Sequence, residues 1–329
     1  MSTAQSPTIA EAASAFLDMT AMTRSENTAR SYKNALNVFL EVLADRKLDP
    51  EETDVSRLKE EAVSWLLADL KAYTPATEQL YTIAATRFFQ YLMAENLVEI
   101  NLQKLQLIVR NRSRRPGQRL PQFPKEDIDS VIQYAEELPG YNYESETDRL
   151  IARRDAALIL ALADTGLRVH EICGLRRGDI DWNEYKAIII GKGDRQAVVR
   201  FSSRAVRAIK AYLEARAGLD GASGRALSSL PIFTRHDKGA GKKVLGITTT
   251  TARNIIKQRT KEILGEQAAQ SITPHSFRHY FVTNVLRGSG GNLKLAQELA
   301  RHKNIQVTQR YAHLSDDELD EGYHQIFED

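Results

Sequence analysis

The sequence predicts a mainly α-helical protein of two domains, with helices throughout the first domain and a small antiparallel sheet in the second. Three observations lead to this fold class. Apolar residues recur at helical spacing from about residue 12 to residue 107. A stretch rich in Arg and Pro follows, and beyond it helical patterns surround a single predicted β-hairpin. With 329 residues, the chain is long enough for two domains that each bury a core.

Residues 11–108 are predicted to form a compact unit of four helices, preceded by a loose polar tail at residues 1–10. The clearest helix runs from Thr28 to Leu43, where apolar and aromatic side chains recur every three or four residues. Another begins at Thr74, an N-cap residue followed by proline. Because the aromatic side chains of these helices lie at core spacing, we interpret them as packing residues.

Residues 109–124 are predicted to form a basic linker between the domains. The segment contains no acidic residue, and its prolines prevent a continuous helix. Such a linker is suited to cross a phosphate backbone, and an ordinary solubilising linker is the alternative. The candidate phosphate contacts in this segment and on the first domain are Arg30, Lys33, Arg87, Arg110, Arg112, Arg114 and Arg115.

The second predicted domain, residues 125–329, places two cations at structurally distinctive points. An apolar helix stops at Gly166 and a new helix starts at once, so Arg168 is expected in the first turn of the new helix, beside exposed amide donors. Residues 185–201 predict a β-hairpin whose tip carries Lys192 between two glycines. Cys173 lies at core spacing on the new helix and is interpreted as a packing residue.

A second group of polar side chains lies near the end of the chain. Thr273 and Pro274 are predicted to start a helix on which His275 and Arg278 share one face, at the end where the helix dipole favours an anion. His302 follows a later helix, and Tyr311 comes nine residues after it. A phenol has an ordinary pKa of about 10, so it needs cationic donors beside it to attack a phosphodiester.

Composition limits the class of protein. No apolar run reaches the roughly 18 residues of a membrane span, and no secretory signal is evident, so a cytoplasmic location is expected. The single Cys173 excludes an intrachain disulfide and a multi-cysteine metal site. Net charge is +2, but seven acidic residues follow Arg310, so residues 1–310 carry +9. A basic body favours a polyanionic partner, and a solvated surface with an acidic end is the alternative.

Five motifs occur in the order and approximate spacing of the tyrosine recombinases, also called the phage integrase family. They are residues 165–172 (TGLRVHEI), the Gly191-Lys192-Gly193 turn, the His275-x-x-Arg278-His279 segment, His302 and Tyr311. The chain resembles the compact Xer-like members over nearly everything from Ala12 onward. The resemblance implies a helical SAM-like core-binding domain and a catalytic domain of the DNA breaking–rejoining type, without the extra arm-binding domain of larger phage integrases.

The resemblance also implies roles for single residues. Tyr311 would be the nucleophile that forms a 3′-phosphotyrosine, and Arg168 and Arg278 would bind the non-bridging phosphate oxygens. Lys192 would protonate the leaving 5′-oxygen, His275 would assist proton removal from Tyr311, and His302 would bind the phosphate. Glu171 would steady the helix of Arg168. The partner would be double-stranded DNA with paired inverted half-sites, and neither a metal nor another cofactor is expected.

The sequence departs from the family pattern at two positions. Arg301 stands where the family usually has glycine, and His170 is not the commonest residue after Arg168 and Val169. A capping box at residues 315–318 predicts a last helix, residues 315–327, whose apolar face needs a groove. This segment resembles the one that such recombinases dock into a neighbouring protomer, so a tetramer on DNA is expected.

Three alternatives differ in class. A zinc site would use His275 and His279, which are four residues apart, but a third ligand at clear spacing is missing. A type IB topoisomerase would use similar chemistry to relax DNA as a monomer, and the compact first domain and the tail helix disfavour it. A non-catalytic architectural DNA-binding relative would have no need of both arginines, Lys192 and Tyr311 together.

Overall fold

The computed structural model describes residues 6–114, 124–191 and 195–309. The chain divides into two compact units, Met1–Arg119 and Leu120–Asp329. The described residues of both units are mostly helical, and the second unit has one small antiparallel sheet. The predicted fold class is confirmed. No helix among the described residues combines the length and the apolar character that a membrane crossing requires.

The first unit contains five helices in its described part. They are α1 (Ile9–Thr23), α2 (Glu26–Asp45), α3 (Glu61–Asp69), α4 (Pro75–Ala94) and α5 (Leu102–Arg112). Aromatic side chains fill the core: Phe16, Phe39, Phe88 and Phe89 are each at most 3% exposed. Their burial supports the interpretation of these aromatics as packing residues. Thr74 caps α4 through the Thr77 amide, as its sequence position indicates.

Helix α5 corrects the predicted start of the linker. The sequence assigned residues 109–124 to a linker, but the structure continues α5 to Arg112. Asn101 caps the helix by accepting a hydrogen bond from the Lys104 amide at 3.0 Å, and Leu105 is completely buried in the first core. Pro116 and the later prolines lie beyond Arg112 and so do not interrupt this helix.

The described part of the second unit contains six longer α-helices and three short ones. Before the sheet lie α6 (Lys125–Glu137), α7 (Glu146–Thr165) and α8 (Val169–Gly174); after it lie α9 (Ser203–Ala215), α10 (Ala217–Gly221), α11 (Thr249–Ser271), α12 (Pro274–Gly288), α13 (Leu293–Ala300) and α14 (Ile305–Gln309). Gly265 interrupts α11 with a φ of 83°, in the left-handed region. Helix α7 is buried along most of its length and forms the centre of the second core.

The sheet lies between α8 and α9, with strands β1 (Ile180–Asp181), β2 (Lys186–Gly191) and β3 (Arg195–Arg200). Strands β2 and β3 form the predicted antiparallel hairpin, in the register that pairs Ile188 with Val198. Ala187, Ile189 and Val199 face the second core. Cys173 also packs against this core, and burial raises the pKa of its thiol to about 11, so Cys173 is a protonated packing residue at neutral pH.

Candidate active site

A tight turn between α7 and α8 positions Arg168. Gly166 ends α7 with a φ of 58°, in the left-handed region, and a Cβ at this position would lie 2.4 Å from the Phe281 ring of α12. Only glycine therefore fits here. Arg168 directly precedes the first residue of α8, so it is the N-cap residue. The prediction that Arg168 lies inside the first turn was wrong by one position, because the chain stays extended through Arg168 before the helix begins.

The Glu171 carboxylate holds Arg168 in place. It accepts a hydrogen bond from the Arg168 backbone N–H at 2.8 Å and another from the Arg168 guanidinium at 2.9 Å. The Glu171 side chain is only 2% exposed, whereas that of Arg168 is 42% exposed. Burial alone would raise the pKa of Glu171, but the Arg168 amide and the charges of Arg301 and Arg168 outweigh it and hold that pKa below its usual value. A charged Glu171 thus fixes the backbone and the head group of Arg168.

Arg278 connects three elements: α12, the turn between α7 and α8, and the end of α13. Thr273 and Pro274 begin α12 as predicted, and Arg278 follows in the second turn with only 3% of its surface exposed. Its guanidinium donates to the carbonyl oxygens of Gly166, in the turn before Arg168, and of Ala300, at the end of α13. Arg278 therefore fixes the turn of Arg168 relative to the segment that carries His302.

Three histidines lie beside the arginines. His302 follows α13, and its Nδ1 atom lies 2.9 Å from the hydroxyl of Thr308, a completely buried residue of α14. His275 and His279, on α12, contact each other edge to face at 4.6 Å between ring centres. Burial first, and then neighbouring charge, lowers the pKa of His275 and brings those of His279 and His302 to about 4. The imidazoles of His279 and His302 are therefore neutral at pH 7.

These side chains line one cleft of about 1470 Å³ in the second unit. The structure brings together Arg168, His275, Arg278 and His302, four of the six predicted catalytic residues. The other two, Lys192 and Tyr311, lie outside the described residues. Guanidinium groups and neutral imidazoles in one concave site suit an anion whose charge increases during a reaction.

Three further cations line the cleft that the sequence motifs do not identify as site residues: Arg200, Arg301 and Lys303. Arg200 lies on the same face of β3 as Gln196 and Val198, which also line the cleft. Side chains alternate between the two faces of a strand, so the predicted β3 strand places Arg200 on the same face as Gln196 and Val198. This alternation is the sequence signal that could have indicated Arg200. Arg301 was noted only as a departure from the family pattern.

Comparison with known proteins decides the family. Residues 123–318 match the phage integrase family, and residues 15–96 match the N-terminal SAM-like domain of phage integrases. The chain belongs to the phage integrase family. The first match alone covers more than half of the chain. The two matched segments lie in the two units of the structure, which agrees with the predicted pair of a SAM-like domain and a catalytic domain.

Similar proteins are tyrosine recombinases. Tyrosine recombinase XerC of Treponema denticola is 30% identical over 301 residues, which cover 90% of this chain and 91% of that protein. The XerC of Thermodesulfovibrio yellowstonii is 28% identical, with 91% and 89% covered. The predicted enzyme class is confirmed: the chain is a tyrosine-type site-specific recombinase.

Solved structures show the same fold. The XerH site-specific recombinase bound to its palindromic difH substrate, in a post-cleavage complex, aligns with a TM-score of 0.67 at 18% identity, covering 92% of this chain and 80% of that one. A lambda integrase dimer bound to a COC′ core site aligns with a TM-score of 0.60 at 15% identity, covering 93% and 95%.

The residues predicted to contact DNA differ in their exposure and in their partners within the first unit. Arg30, Lys33 and Arg87 are exposed, although Arg30 pairs with Glu26 at 3.1 Å and Arg87 donates to Gln90 at 3.0 Å. Arg110 and Arg112 are exposed in the last turn of α5. Arg115 lies outside the described residues. The exposed arginines and Lys33 remain candidates for phosphate contacts.

Arg114 has a different environment. Its guanidinium lies 2.5 Å from the completely buried carboxylate of Glu78 and donates to the Leu70 and Tyr73 carbonyls at 3.1 and 2.7 Å. Burial alone would raise the pKa of Glu78, but Lys71 and Arg114 outweigh it and lower that pKa. We therefore assign Arg114 to the internal structure of the first unit rather than to DNA binding, because its donors are directed at the buried Glu78 carboxylate and at two backbone carbonyls of the same unit.

Replacing Arg112 and Arg114 separately tests this assignment. We expect Arg112→Gln to lower the log–log salt slope of DNA binding by roughly 0.9, the value for one lost phosphate contact. Arg114→Gln is expected to leave the slope unchanged and to destabilise the first unit by about 2 kcal/mol, since buried Glu78 loses one of its two cationic partners. Fluorescence anisotropy over a salt series and urea unfolding give the two quantities. Equal changes of the salt slope in both variants would show that Arg114 also contacts a DNA phosphate.

The lowered histidine pKa values predict that stability falls with acidification. In the unfolded chain each histidine binds a proton near its ordinary pKa of 6.5, whereas folded His279 and His302 resist protonation down to about 4. Between these values the unfolded state holds more protons, so the free energy of unfolding is greatest above about pH 6.5 and decreases as pH falls toward about 4. Thermal unfolding over this range, in wild type and His302→Asn, measures the effect. A decline of the same steepness in the variant would exclude His302 as a contributor.

Proposed function

We propose that the recombinase cuts and rejoins DNA through a 3′-phosphotyrosine at Tyr311, and that strand exchange proceeds through a Holliday junction. The observation that carries the proposal is the placement of Arg168 and Arg278 in one cleft with His275 and His302. Three separate segments contribute these residues, and hydrogen bonds through Glu171, Gly166 and Ala300 fix the two guanidinium groups. Such pre-organised donors act on the charge that develops in a transition state.

The proposed chemistry starts with the Tyr311 hydroxyl. The oxygen attacks the scissile phosphorus as its proton leaves, and the bond to the 5′-oxygen breaks, which yields a 3′-phosphotyrosine and a free 5′-hydroxyl. Arg168 and Arg278 bind the non-bridging oxygens as negative charge accumulates on them. Lys192 donates the proton that the leaving oxygen needs. Because the phosphotyrosine retains the energy of the phosphodiester, religation requires neither ATP nor a metal ion.

The proton transfers depend on neutral imidazoles. The lowered pKa of His275 favours the neutral ring that is able to accept the Tyr311 proton. His302 is also neutral, and the Thr308 hydroxyl at its Nδ1 atom sets the orientation of the ring for a contact with the phosphate. This division of roles leaves charge stabilisation to the arginines and proton movement to His275 and Lys192.

Capture of DNA from a nicked or genomic library tests the function and identifies the target. A nick beside the cleavage site lets the short leaving strand diffuse away, so religation fails and the covalent complex accumulates. We expect wild-type protein to retain a defined set of sequences through denaturing washes. The Tyr311→Phe variant serves as the control for non-covalent carry-over. Recovery of the same sequences in equal amount with both proteins would contradict covalent catalysis.

We also propose that the DNA partner carries paired inverted half-sites and that four protomers assemble on two duplexes, in the cytoplasm. The complex of the similar-fold XerH with a palindromic substrate supports the choice of DNA. In this assembly the tail helix predicted at residues 315–327 docks into a neighbouring protomer. The apolar spacing of Leu319, Tyr323 and Ile326 supports this proposal, since such a face requires a groove.

Removing the residues after Ser315 separates assembly from DNA binding. We expect the truncated chain to bind a single half-site with an affinity within about threefold of wild type, because the apolar face of the tail helix is proposed to contact another protomer and not DNA. Cooperative binding to a full site is expected to weaken by at least about tenfold. Gel-shift titrations with half-sites and full sites measure both affinities. Equal losses on both substrates would indicate that the tail packs on its own chain.

A further inference from the structure

We propose that Arg301 is a positioning residue of the cleavage site, which shares the Glu171 carboxylate with Arg168 and so keeps the charge of Arg168 available to the scissile phosphate. The inference rests on the proposed function, because it concerns the phosphate that Arg168 would bind. Arg301 directly precedes His302 in the chain.

The contacts of Arg301 reach the supports of both site arginines. Its Nη2 atom donates to Glu171 Oε2 at 3.2 Å, and the Arg168 guanidinium binds the other oxygen of the same carboxylate at 2.9 Å. The same Nη2 atom lies 3.5 Å from the Gly166 carbonyl, which also accepts a hydrogen bond from Arg278. One side chain thus contacts the acceptor that orients Arg168 and an acceptor that orients Arg278.

Charge balance explains why a second guanidinium on Glu171 matters. Glu171 and Arg168 alone form a neutral pair, which attracts a phosphate weakly. With Arg301 the group of three carries one net positive charge, and Arg301 is the less exposed of the two guanidinium groups on Glu171, with a side chain 11% exposed against 42% for Arg168. The more exposed guanidinium then keeps its attraction for an anion in the cleft.

Stability alone does not account for arginine at this position. Arg301 ends α13 with a φ of 57°, a left-handed conformation that favours glycine. Its Nε atom is buried and has no hydrogen-bond partner among the described residues. Burial is also the main influence that lowers the pKa of Arg301, and the nearby Arg168 charge lowers it further. Three unfavourable features at one residue indicate a functional role.

The test compares Arg301→Gly and Arg301→Lys with wild type in single-turnover cleavage of a nicked duplex at saturating DNA. We expect Arg301→Gly to slow cleavage by roughly 10- to 100-fold, as loss of an orienting partner does elsewhere. Its thermal stability is expected to be equal or higher, since glycine relieves the left-handed backbone. Arg301→Lys should recover most of the rate, because a cation remains beside Glu171. Lys294→Gln, which removes an exposed charge from the same helix, is the matched control and should cleave at the wild-type rate.

A double-variant cycle distinguishes positioning from direct phosphate contact. If Arg301 acts through Glu171, Arg301→Gly should have little further effect in a Glu171→Gln background. Full loss in that background, or wild-type cleavage by Arg301→Gly, would overturn the inference. Failure of wild-type protein to form any covalent complex would instead contradict the proposed function, so the two failures are distinguishable.

Discussion

Replacing Tyr311 with phenylalanine is expected to abolish covalent attachment of the recombinase to DNA while leaving site binding intact. The change removes one oxygen atom, and with it the only atom that forms the proposed phosphotyrosine. Loss of a nucleophile lowers rates by on the order of 10⁴-fold or more. The arginines, Lys192 and the DNA-binding surfaces are untouched, so the affinity for a full site should stay within about threefold of wild type.

Denaturing gels of reactions with end-labelled DNA measure the adduct, and gel shifts under native conditions measure binding. An adduct retained by Tyr311→Phe would show that another residue attacks the phosphate. Loss of binding together with the adduct would indicate a folding defect, and circular dichroism of the variant checks for that outcome.

Replacing Arg278 is expected to have the second largest effect, because this residue acts on both the phosphate and the structure. We expect Arg278→Ala to slow single-turnover cleavage by at least about 10²- to 10³-fold, the usual loss when one donor to a developing oxyanion is removed. Arg278→Lys should remain strongly impaired. A lysine keeps the charge, but its single ammonium group does not reproduce the planar fork that binds both the Gly166 and Ala300 carbonyls.

Arg278→Ala is also expected to lower the free energy of unfolding by about 2–4 kcal/mol, since two buried carbonyl groups lose their donor. Arg259→Gln provides the matched control. Arg259 is a mostly buried arginine of α11 that pairs with Asp155 at 2.8 Å, and it does not line the cleft. Similar destabilisation with near-wild-type cleavage in Arg259→Gln would separate stability from catalysis. An equal loss of cleavage in both variants would contradict a specific role for Arg278.

Local sequence signals predicted most of the fold. Periodicity and capping residues located the helices of both units, and the glycine-bounded turn located the β2–β3 hairpin. One exception was the end of α5, since residues 109–112 were assigned to the linker. Its basic composition indicated a solvated segment, but burial of Leu105 and the Asn101 cap determine the helix, and those depend on the rest of the first core. Packing against the first core therefore stabilises a helix at residues where the charge pattern indicated a linker.

The chemistry of the candidate site was predictable in part. Motif order assigned Arg168, His275, Arg278 and His302, and the structure brings these four together. Sequence spacing did not predict that Arg301 reaches across to Glu171 or that Arg114 binds buried Glu78. Both contacts join residues far apart in the chain, and each depends on backbone directions that only the folded structure determines. The arginine before His302 was evident in the sequence, but its contact with Glu171 was not.

The most direct test of the central claim is to identify the atom that carries the DNA. Wild-type recombinase is incubated with a nicked duplex containing the captured target, then digested with protease and nuclease, and the modified peptide is sequenced by mass spectrometry. Catalysis by Tyr311 should yield a nucleotide joined through its 3′-phosphate to Tyr311, together with a free 5′-hydroxyl on the released strand. An adduct on another residue, or one joined through a 5′-phosphate, would contradict it.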